Sequence, residues 1–230
     1  KTWGDFADTR WYVGHEDATE YHITTAEQLA GLAQLVNADK GTTNFAGKTF
    51  YLEKDLDLAG HEWISIGTII GGDRPEYSFC GVFDGQGHVI SNLYSHDSDT
   101  GDYEESNNLG RNALFGNVYN GEIKNLGIAN AEIWIDPKDD SAAGKGILVD
   151  WMGKSKITNC WTSGSIDSGK RILAASLVLL CRAAPFPVAI QLQHLQEISR
   201  IPRDFIKIRT RLNGRAIALA VLSVRDLMAV

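Results

Sequence analysis

The chain has 230 residues, of which 43% are hydrophobic, enough to build a packed core and to exclude wholesale disorder. The formal net charge of −7 argues against nucleic acid or an anionic membrane as the main partner, because an acidic surface repels both. The stretch 172–181 is apolar apart from one serine, but a membrane span needs about 20 apolar residues. We therefore expect no nucleic-acid partner and no membrane span.

Charge and residue usage divide the chain near position 170. Residues 1–170 contain 13 Lys and Arg against 26 Asp and Glu, a net charge of −13, whereas residues 171–230 contain 9 against 3, a net charge of +6. All six Trp, all seven Tyr and every Gly but one lie in the first part. Such a change predicts a boundary, which we place between 1–168 and an atypical, basic, apolar tail at 169–230.

The first predicted element is a helix near 25–37, which follows an aromatic N-terminal segment that we interpret as a cap. Thr24 with Glu27, or Thr25 with Gln28, can form the reciprocal capping box that starts a helix. Apolar residues then recur at helical spacing. They predict one buried face, formed by Leu29, Leu32, Ala33 and Val36.

Beyond the helix, short β-type segments separated by glycine repeat along the chain. Similar segments place Asn92, Asn125 and Asn159 at spacings of 33 and 34 residues. A second anchor, 113–116, matches 146–149 at a spacing of 33. Two anchors in one register predict a unit of short strands that stacks on its neighbours. Asn tolerates the left-handed backbone of a corner, and stacked amides can hydrogen-bond to each other, so we interpret the three Asn as structural, with a ligand-binding role as the alternative.

Four motifs follow each other in order: Thr-Ala-Glu-Gln-Leu-Ala-Gly-Leu-Ala at 25–33, Phe-Tyr-Leu with Asp-Leu-Asp-Leu at 50–58, Trp-Ile-Ser-Ile-Gly at 63–67, and Phe-Cys-Gly-Val-Phe-Asp-Gly-Gln-Gly-His-Val-Ile-Ser-Asn-Leu at 79–93. Together they resemble the repeat region of bacterial cell-surface proteins with GLUG motifs, including the non-catalytic region of some Gram-positive immunoglobulin A metallopeptidases. The resemblance covers about 20–168. The Gly-Leu-hydrophobic-Gly motif itself has Ala first at 113–116 and Val last at 146–149.

The resemblance implies a mainly-β fold, a right-handed parallel β-helix (a solenoid) with one short N-terminal helix. It also implies an extracellular or cell-surface location and a non-enzymatic role in adhesion or ligand presentation. The partners would be a host or matrix protein or a glycan, beside other domains of a larger surface protein. The alternatives are a carbohydrate-active β-helix enzyme and a spacer within a larger surface peptidase.

The tail carries none of these motifs, although another repeat unit should begin after 164–169. One explanation is a separate helical domain, because 190–208 and 216–228 are apolar and the first is rich in Gln. The other is a translational frameshift near Lys170. Codons for 172–178 exist whose shifted reading is Phe-Gly-Gly-Ile-Val-Gly, the glycine-rich unit that the resemblance implies there. In that case the tail has no evolved fold and stays unfolded.

No catalytic motif stands out. The sequence has no His-Glu-x-x-His zinc motif, no Gly-x-Ser-x-Gly elbow and no phosphate-binding loop. An enzyme that cleaves glycosides would need paired carboxylates, and Asp55, Asp57 and Asp84 are the candidates. We interpret them instead as residues of turns and short strands, since Asp in a turn bonds the local backbone. We therefore assign no catalytic or cofactor-binding residue and expect no enzyme activity.

The densest acidic stretch, 96–105, is interpreted as a solvated loop. Carboxylates outside the cell can hold calcium, so the alternative is a calcium site that includes Asp97, Asp99 and Asp102. The stretch lacks the terminal Glu at the offset that an EF-hand requires. We expect no cofactor, with calcium as the alternative.

Tryptophan and cysteine are the remaining residue types with a candidate role. Trp134, Trp151 and Trp161 follow the repeats, and we interpret them as core, with an exposed sugar- or protein-binding face as the alternative. The cysteines have no metal-ligand spacing. They are interpreted as buried small hydrophobic residues, Cys80, Cys160 and Cys181.

Overall fold

The computed structural model describes residues 1–38, 43–67, 75–96, 112–135, 146–167, 172–174, 209–212 and 215–218. The chain divides into two compact units, Lys1–Gln191 and Leu192–Val230. The first unit extends past position 168, where composition places the boundary. Its described residues include one α-helix, two short 3-10 helices (Trp3–Phe6 and Pro75–Tyr77) and most of the described strands.

The predicted helix is present as α1 (Ala26–Asn37). Thr25 is its N-cap, and its hydroxyl accepts a hydrogen bond from the Gln28 backbone N–H at 3.2 Å. The Gln28 side chain in turn accepts a hydrogen bond from the Thr24 backbone N–H at 2.8 Å. The capping box therefore involves Thr24, the residue before the N-cap, as the second backbone donor. The four apolar residues of the predicted face are all buried. Local capping and one apolar face are therefore enough to account for this helix.

The described strands of the first unit form three sheets. The first contains β1 (Glu20–Ile23), β2 (Thr49–Leu52), β4 (Val82–Asp84), β8 (Glu122–Lys124) and β11 (Lys156–Thr158). The second contains β3 (Leu56–Asp57), β5 (Val89–Ser91), β9 (Gly127–Trp134), β12 (Trp161–Asp167) and β13 (Ile172–Ala174), with β6 (Tyr94–His96) also paired to β9. The third contains β7 (Phe115–Tyr119) and β10 (Val149–Gly153). All of these strand pairs are parallel except β12 with β13.

The sheets contribute their inner faces to a single hydrophobic cluster. In the first sheet Phe50, Phe83 and Ile123 lie side by side, and all three are fully buried. In the second sheet Ile90 and Ile128 are paired and buried in the same way. Because successive side chains of a strand point to opposite faces, the residues between them form the outer faces of the sheets. The expectation of a mainly-β protein with parallel sheets is confirmed.

The predicted repeat register is wrong in two places. Ile90 pairs with Ile128 in the second sheet, whereas Ile123 pairs with Phe83 in the first, so Asn92 is not equivalent to Asn125. In the third sheet Phe115 pairs with Val149, a spacing of 34 residues instead of 33. The first error has a physical cause. Strands of both sheets end in the same apolar-x-Asn pattern, since each needs a left-handed residue at its corner.

The end of the first unit departs from the parallel pattern. Ile172–Ala174 runs antiparallel to β12, with Ile166 paired to Leu173, instead of starting the further parallel unit that the repeats predict. In the second unit β14 (Arg209–Leu212) and β15 (Arg215–Ala218) form an antiparallel pair. Residues 216–218, which lie in the segment that the helical-domain alternative would make a helix, are part of strand β15. Residues 190–208 and 219–228 lie outside the described part of the chain.

Candidate binding surface

The first corner, where strands of the first sheet end, is held by a ladder of amides. Asn125 and Asn159 have φ angles of +54° and +52°, in the left-handed region. The Asn159 amide donates to Asn125 Oδ1 at 2.9 Å, and the Asn125 amide donates to Asp84 Oδ1 at 2.9 Å. The predicted left-handed corner with stacked amides is thus confirmed for these two residues.

The second corner, on the second sheet, also has left-handed Asn residues, but these have different hydrogen-bond partners. Asn92 has a φ of +57°, and its amide donates to Asp57 Oδ1 at 2.8 Å. The next residue at this corner is Asn130, also left-handed at +54°, and its N–H donates to Ser163 Oγ at 3.2 Å. Sequence reasoning missed Asn130, although its apolar-x-Asn context resembles that of Asn92.

The three candidate carboxylates are engaged at these corners. Burial would raise the pKa of Asp84, but hydrogen bonds from Asn125 and the Gln86 N–H, with Lys124 nearby, outweigh it and lower that pKa. The Asn92 amide and the Ala59 N–H lower the pKa of Asp57. All these partners favour the ionised form of each carboxylate.

Asp55 is bound in the same way. It accepts from the Val89 N–H at 2.9 Å and contacts His88 Nδ1 at 3.1 Å, and both interactions lower its pKa. A general acid needs a raised pKa near the working pH. These carboxylates therefore have the chemistry of turn and corner residues.

The described ranges contain no cluster of side chains that could hold a metal ion. His22 pairs with Glu53 and His88 with Asp55, but among described residues no group of three or more His, Cys, Asp or Glu is arranged to hold a metal ion. The calcium candidates Asp97, Asp99 and Asp102 lie outside the described residues.

Two of the cysteines are buried, as predicted. Cys80 is 6% exposed and Cys160 is 2% exposed. Burial raises the pKa of the Cys80 thiol to about 11. The thiolate is the reactive form, so burial favours the less reactive protonated thiol in the folded chain. Cys181 lies outside the described residues.

The interpretation of the three later tryptophans as core is wrong. Trp134, Trp151 and Trp161 are only partly buried and do not belong to the hydrophobic cluster, whose tryptophans are Trp3 and Trp63. By strand alternation Trp134 and Trp161 lie on the outer face of the second sheet, whereas Trp151 is a partly buried residue of the third sheet.

Trp161 lies flat against the second sheet because its strand neighbour is a glycine. A Cβ atom at Gly127 would lie 2.5 Å from Trp161 Cε2 and Cζ2 and 2.8 Å from Nε1, so the indole face covers the Gly127 backbone. The opposite face of the ring is consequently turned away from the sheet. On the other side of Gly127, its pairing partner on β5 is the half-buried Val89.

His96 and Trp134 are arranged differently on the same sheet. Their rings are stacked with centroids 4.1 Å apart and planes 5° apart. Because they lie on paired strands, the stacking direction runs from strand to strand, and the ring edges turn outward. Tyr94, two residues before His96, is 42% exposed. This stack holds β6 to β9 and presents less flat area than Trp161.

A shallow groove of about 640 Å³ lies between the N-terminal segment and the start of α1. The charged groups that line it are Asp8, Arg10 and Glu27, and the first two form two hydrogen bonds of 2.8 Å with each other. The Arg10 guanidinium lowers the pKa of Asp8 to about 2. Because this acid and base neutralise each other, the flat indole of Trp161 is the stronger candidate.

We define the candidate surface as Trp161 over Gly127, with Asn159, Asn130 and Ser163 beside it. The repeat spacing contained a signal for it, because a 34-residue register aligns Gly127 with Trp161, the smallest residue opposite the largest.

Comparison of the chain with protein-family models, curated proteins and solved structures finds no match. Of the helices in the described ranges, none is both long and apolar enough to cross a membrane.

Proposed function

We propose that the chain is a non-enzymatic extracellular module, built as a right-handed parallel β-helix, that presents a binding surface for adhesion to a host or matrix protein or a glycan. The resemblance to GLUG-motif proteins is the argument for the extracellular address. The fold and the candidate surface support the rest of the proposal.

Strand order favours a β-helix. Neighbouring strands of the first sheet, such as β2, β4, β8 and β11, are visited in chain order, with one visit to the second sheet between them. Each such circuit places one strand on its predecessor in parallel, as a solenoid requires. The amide ladder joining successive corners is the stabilising feature expected of stacked coils.

The observation that carries the binding role is the flat, outward-turned indole of Trp161 on the second sheet, next to the point where the register of β12 with β9 shifts. Tryptophan combines a large rigid apolar area with little side-chain entropy to lose, which is why it is frequent at the centres of interfaces. The carboxylates that a glycoside-cleaving enzyme would use are instead hydrogen-bonded at corners. This weighs against the alternative of a carbohydrate-active enzyme.

Binding and turnover should be measured together on the 230-residue chain. Immobilised extracellular-matrix proteins, whole mammalian cells and a polysaccharide panel would be tested for binding, and the same polysaccharides for release of reducing ends. We expect binding to at least one of these surfaces without turnover. Turnover that is lost in Asp84→Asn or Asp55→Asn would overturn the proposal in favour of an enzyme, and the absence of any binding would also contradict it.

A further inference from the structure

We propose that the candidate surface binds the sugar rings of an uncharged glycan, with the Trp161 indole as the stacking platform and Asn159 and Ser163 as the hydroxyl-binding groups. This inference rests on the proposed function and specifies its ligand class.

The platform has the shape that a pyranose ring needs. One face of the indole covers the Gly127 backbone, and the other face is turned away from the sheet. A pyranose has an apolar face of C–H groups, which stacks on the negative face of an aromatic ring and removes apolar area from water. A ring that lies flat offers its whole face to such a ligand, unlike the edge-on rings of His96 and Trp134.

Asn159 supplies a fixed acceptor beside the platform. It is exposed and stands two residues before Trp161, so the two Cα atoms are within about 7 Å of each other. Its amide N–H₂ donates to Asn125, which orients the group and leaves Asn159 Oδ1 for a ligand hydroxyl. An amide that is already ordered loses little entropy on binding.

Ser163 supplies a donor on the other side. It stands two residues after Trp161, and its Oγ accepts the hydrogen bond from the Asn130 N–H at 3.2 Å. A hydroxyl that accepts through its oxygen can still donate its proton. Together Asn159 and Ser163 provide an acceptor and a donor flanking a flat apolar ring, which matches alternating hydroxyl groups around an apolar sugar face.

Charge selects the uncharged class of glycan. The side chains of the candidate surface, Asn130, Asn159, Trp161 and Ser163, are all neutral, and so are those of the adjacent Val89 and Asn125. Residues 1–170 carry a net charge of −13, which repels sulfated and uronic-acid glycans over several ångströms. A cationic ligand would find no carboxylate among these side chains to pair with. An uncharged hexose polymer fits both conditions.

The test uses the full chain and defined probes. Neutral hexasaccharides of β-1,4-glucan, β-1,3-glucan and α-1,6-mannan would be titrated by calorimetry and tryptophan fluorescence, beside heparin and oligogalacturonate of similar length. We expect at least one neutral probe to bind and to bind more tightly than either anionic probe. Equal or tighter binding of the anionic probes would overturn the inference.

Variants locate the site. Trp161→Ala should lower the affinity for the neutral probe at least about 10-fold, whereas Trp161→Phe, which keeps a ring face, should lower it less. Gly127→Ala should also weaken binding, because its Cβ would lie 2.5 Å from the indole and displace the platform without removing any polar group. Trp151→Ala, on the third sheet, is the matched control and should bind like the parent chain. Circular dichroism verifies that each variant is folded.

The outcomes separate this inference from the proposed function. Binding to cells or matrix proteins without binding to any neutral glycan would refute the inference and leave the adhesive role standing. Neutral-glycan binding that is unchanged in both Trp161→Ala and Gly127→Ala would refute the assigned site. Failure to bind any probe, cell or matrix protein would refute both.

Discussion

At the corners of this protein, individual Asn residues adopt the left-handed backbone conformation. A non-glycine residue in that region costs roughly 1–2 kcal/mol, and Asn reduces the cost through local hydrogen bonds. At Asn125 the side chain also accepts from one neighbour and donates to another, at 2.9 Å each. Backbone conformation and side-chain bonding therefore depend on the same residue.

Asn125→Ala should consequently lower the free energy of unfolding by about 2–4 kcal/mol, because it adds left-handed strain and removes two hydrogen bonds. Asn125→Gly removes the same bonds without the strain and should cost less. Urea unfolding of both variants measures the difference. Equal losses in the two variants would show that the left-handed backbone contributes nothing here.

The corner carboxylates make stability depend on pH. Asp57 and Asp84 have pKa values below the ordinary value in the folded chain, so near pH 4 the unfolded state binds more protons than the folded state. The stability that their ionisation contributes is therefore present above the ordinary pKa and is lost as the pH falls through the folded pKa.

We expect the free energy of unfolding to decrease as the pH falls from about 5 to 3. The decrease should be smaller in Asp57→Asn and Asp84→Asn, which keep an acceptor oxygen but do not titrate. Urea unfolding at each pH provides the measurement, and Glu27→Gln, on the exposed side of α1, is the control. A pH dependence as steep in the two corner variants as in the control would contradict this account.

At the scale of elements, the helix could be predicted and the strand register could not. The start of α1 depends on Thr25 and Gln28, and both contacts are local in sequence. Pairing of Ile90 with Ile128 instead of Ile123 depends on which corner each segment occupies, which the local pattern does not encode. The 34-residue spacing of Asn125 and Asn159 already aligns Gly127 with Trp161, but that the ring covers the glycine depends on both residues lying on one face of a sheet, which the spacing does not encode.

Helix α1 packs against the N-terminal segment through a glycine. A Cβ at Gly31 would lie 2.0 Å from the Asp8 carbonyl oxygen. Ala is favoured over Gly inside a helix by about 1 kcal/mol, so an isolated helix would gain from Gly31→Ala.

In this protein we expect Gly31→Ala to destabilise by roughly 1–3 kcal/mol, because α1 and the N-terminal backbone must move apart. Gln34→Ala, at an exposed position of the same helix, should change stability by less than about 0.5 kcal/mol. Thermal and urea unfolding compare the two. Stabilisation by Gly31→Ala would show that this close contact is not maintained in solution.

At the scale of the molecule, burial falls off toward the last described parallel strands. Ile123 and Ile128 are fully buried, whereas their partners Ile157 on β11 and Thr162 on β12 are only partly buried. In a stack where each strand is stabilised by its neighbours, the strands with less cover open first. The described parallel strands should therefore lose structure first at β11 and β12.

The labelling rates of the two buried cysteines measure the order in which these strands open. In a Cys181→Ser background, a maleimide should label Cys160, between β11 and β12, faster than Cys80 in native buffer. Peptide mass spectrometry measures both rates, and labelling in urea, where the two thiols should react alike, is the control. Faster labelling of Cys80 would place the weak point elsewhere.

The connection from the second sheet to the third has two lengths in this chain. Ser95 on β6 is paired with Ile133 on β9, and Phe115 on β7 is paired with Val149 on β10. The distance along the chain is nevertheless 20 positions from Ser95 to Phe115 and 16 positions from Ile133 to Val149. Strand pairing on either side accommodates this difference. Register is therefore set by the strand pairs on either side and not by the number of residues between them, so the successive repeat units of this chain need not be equal in length.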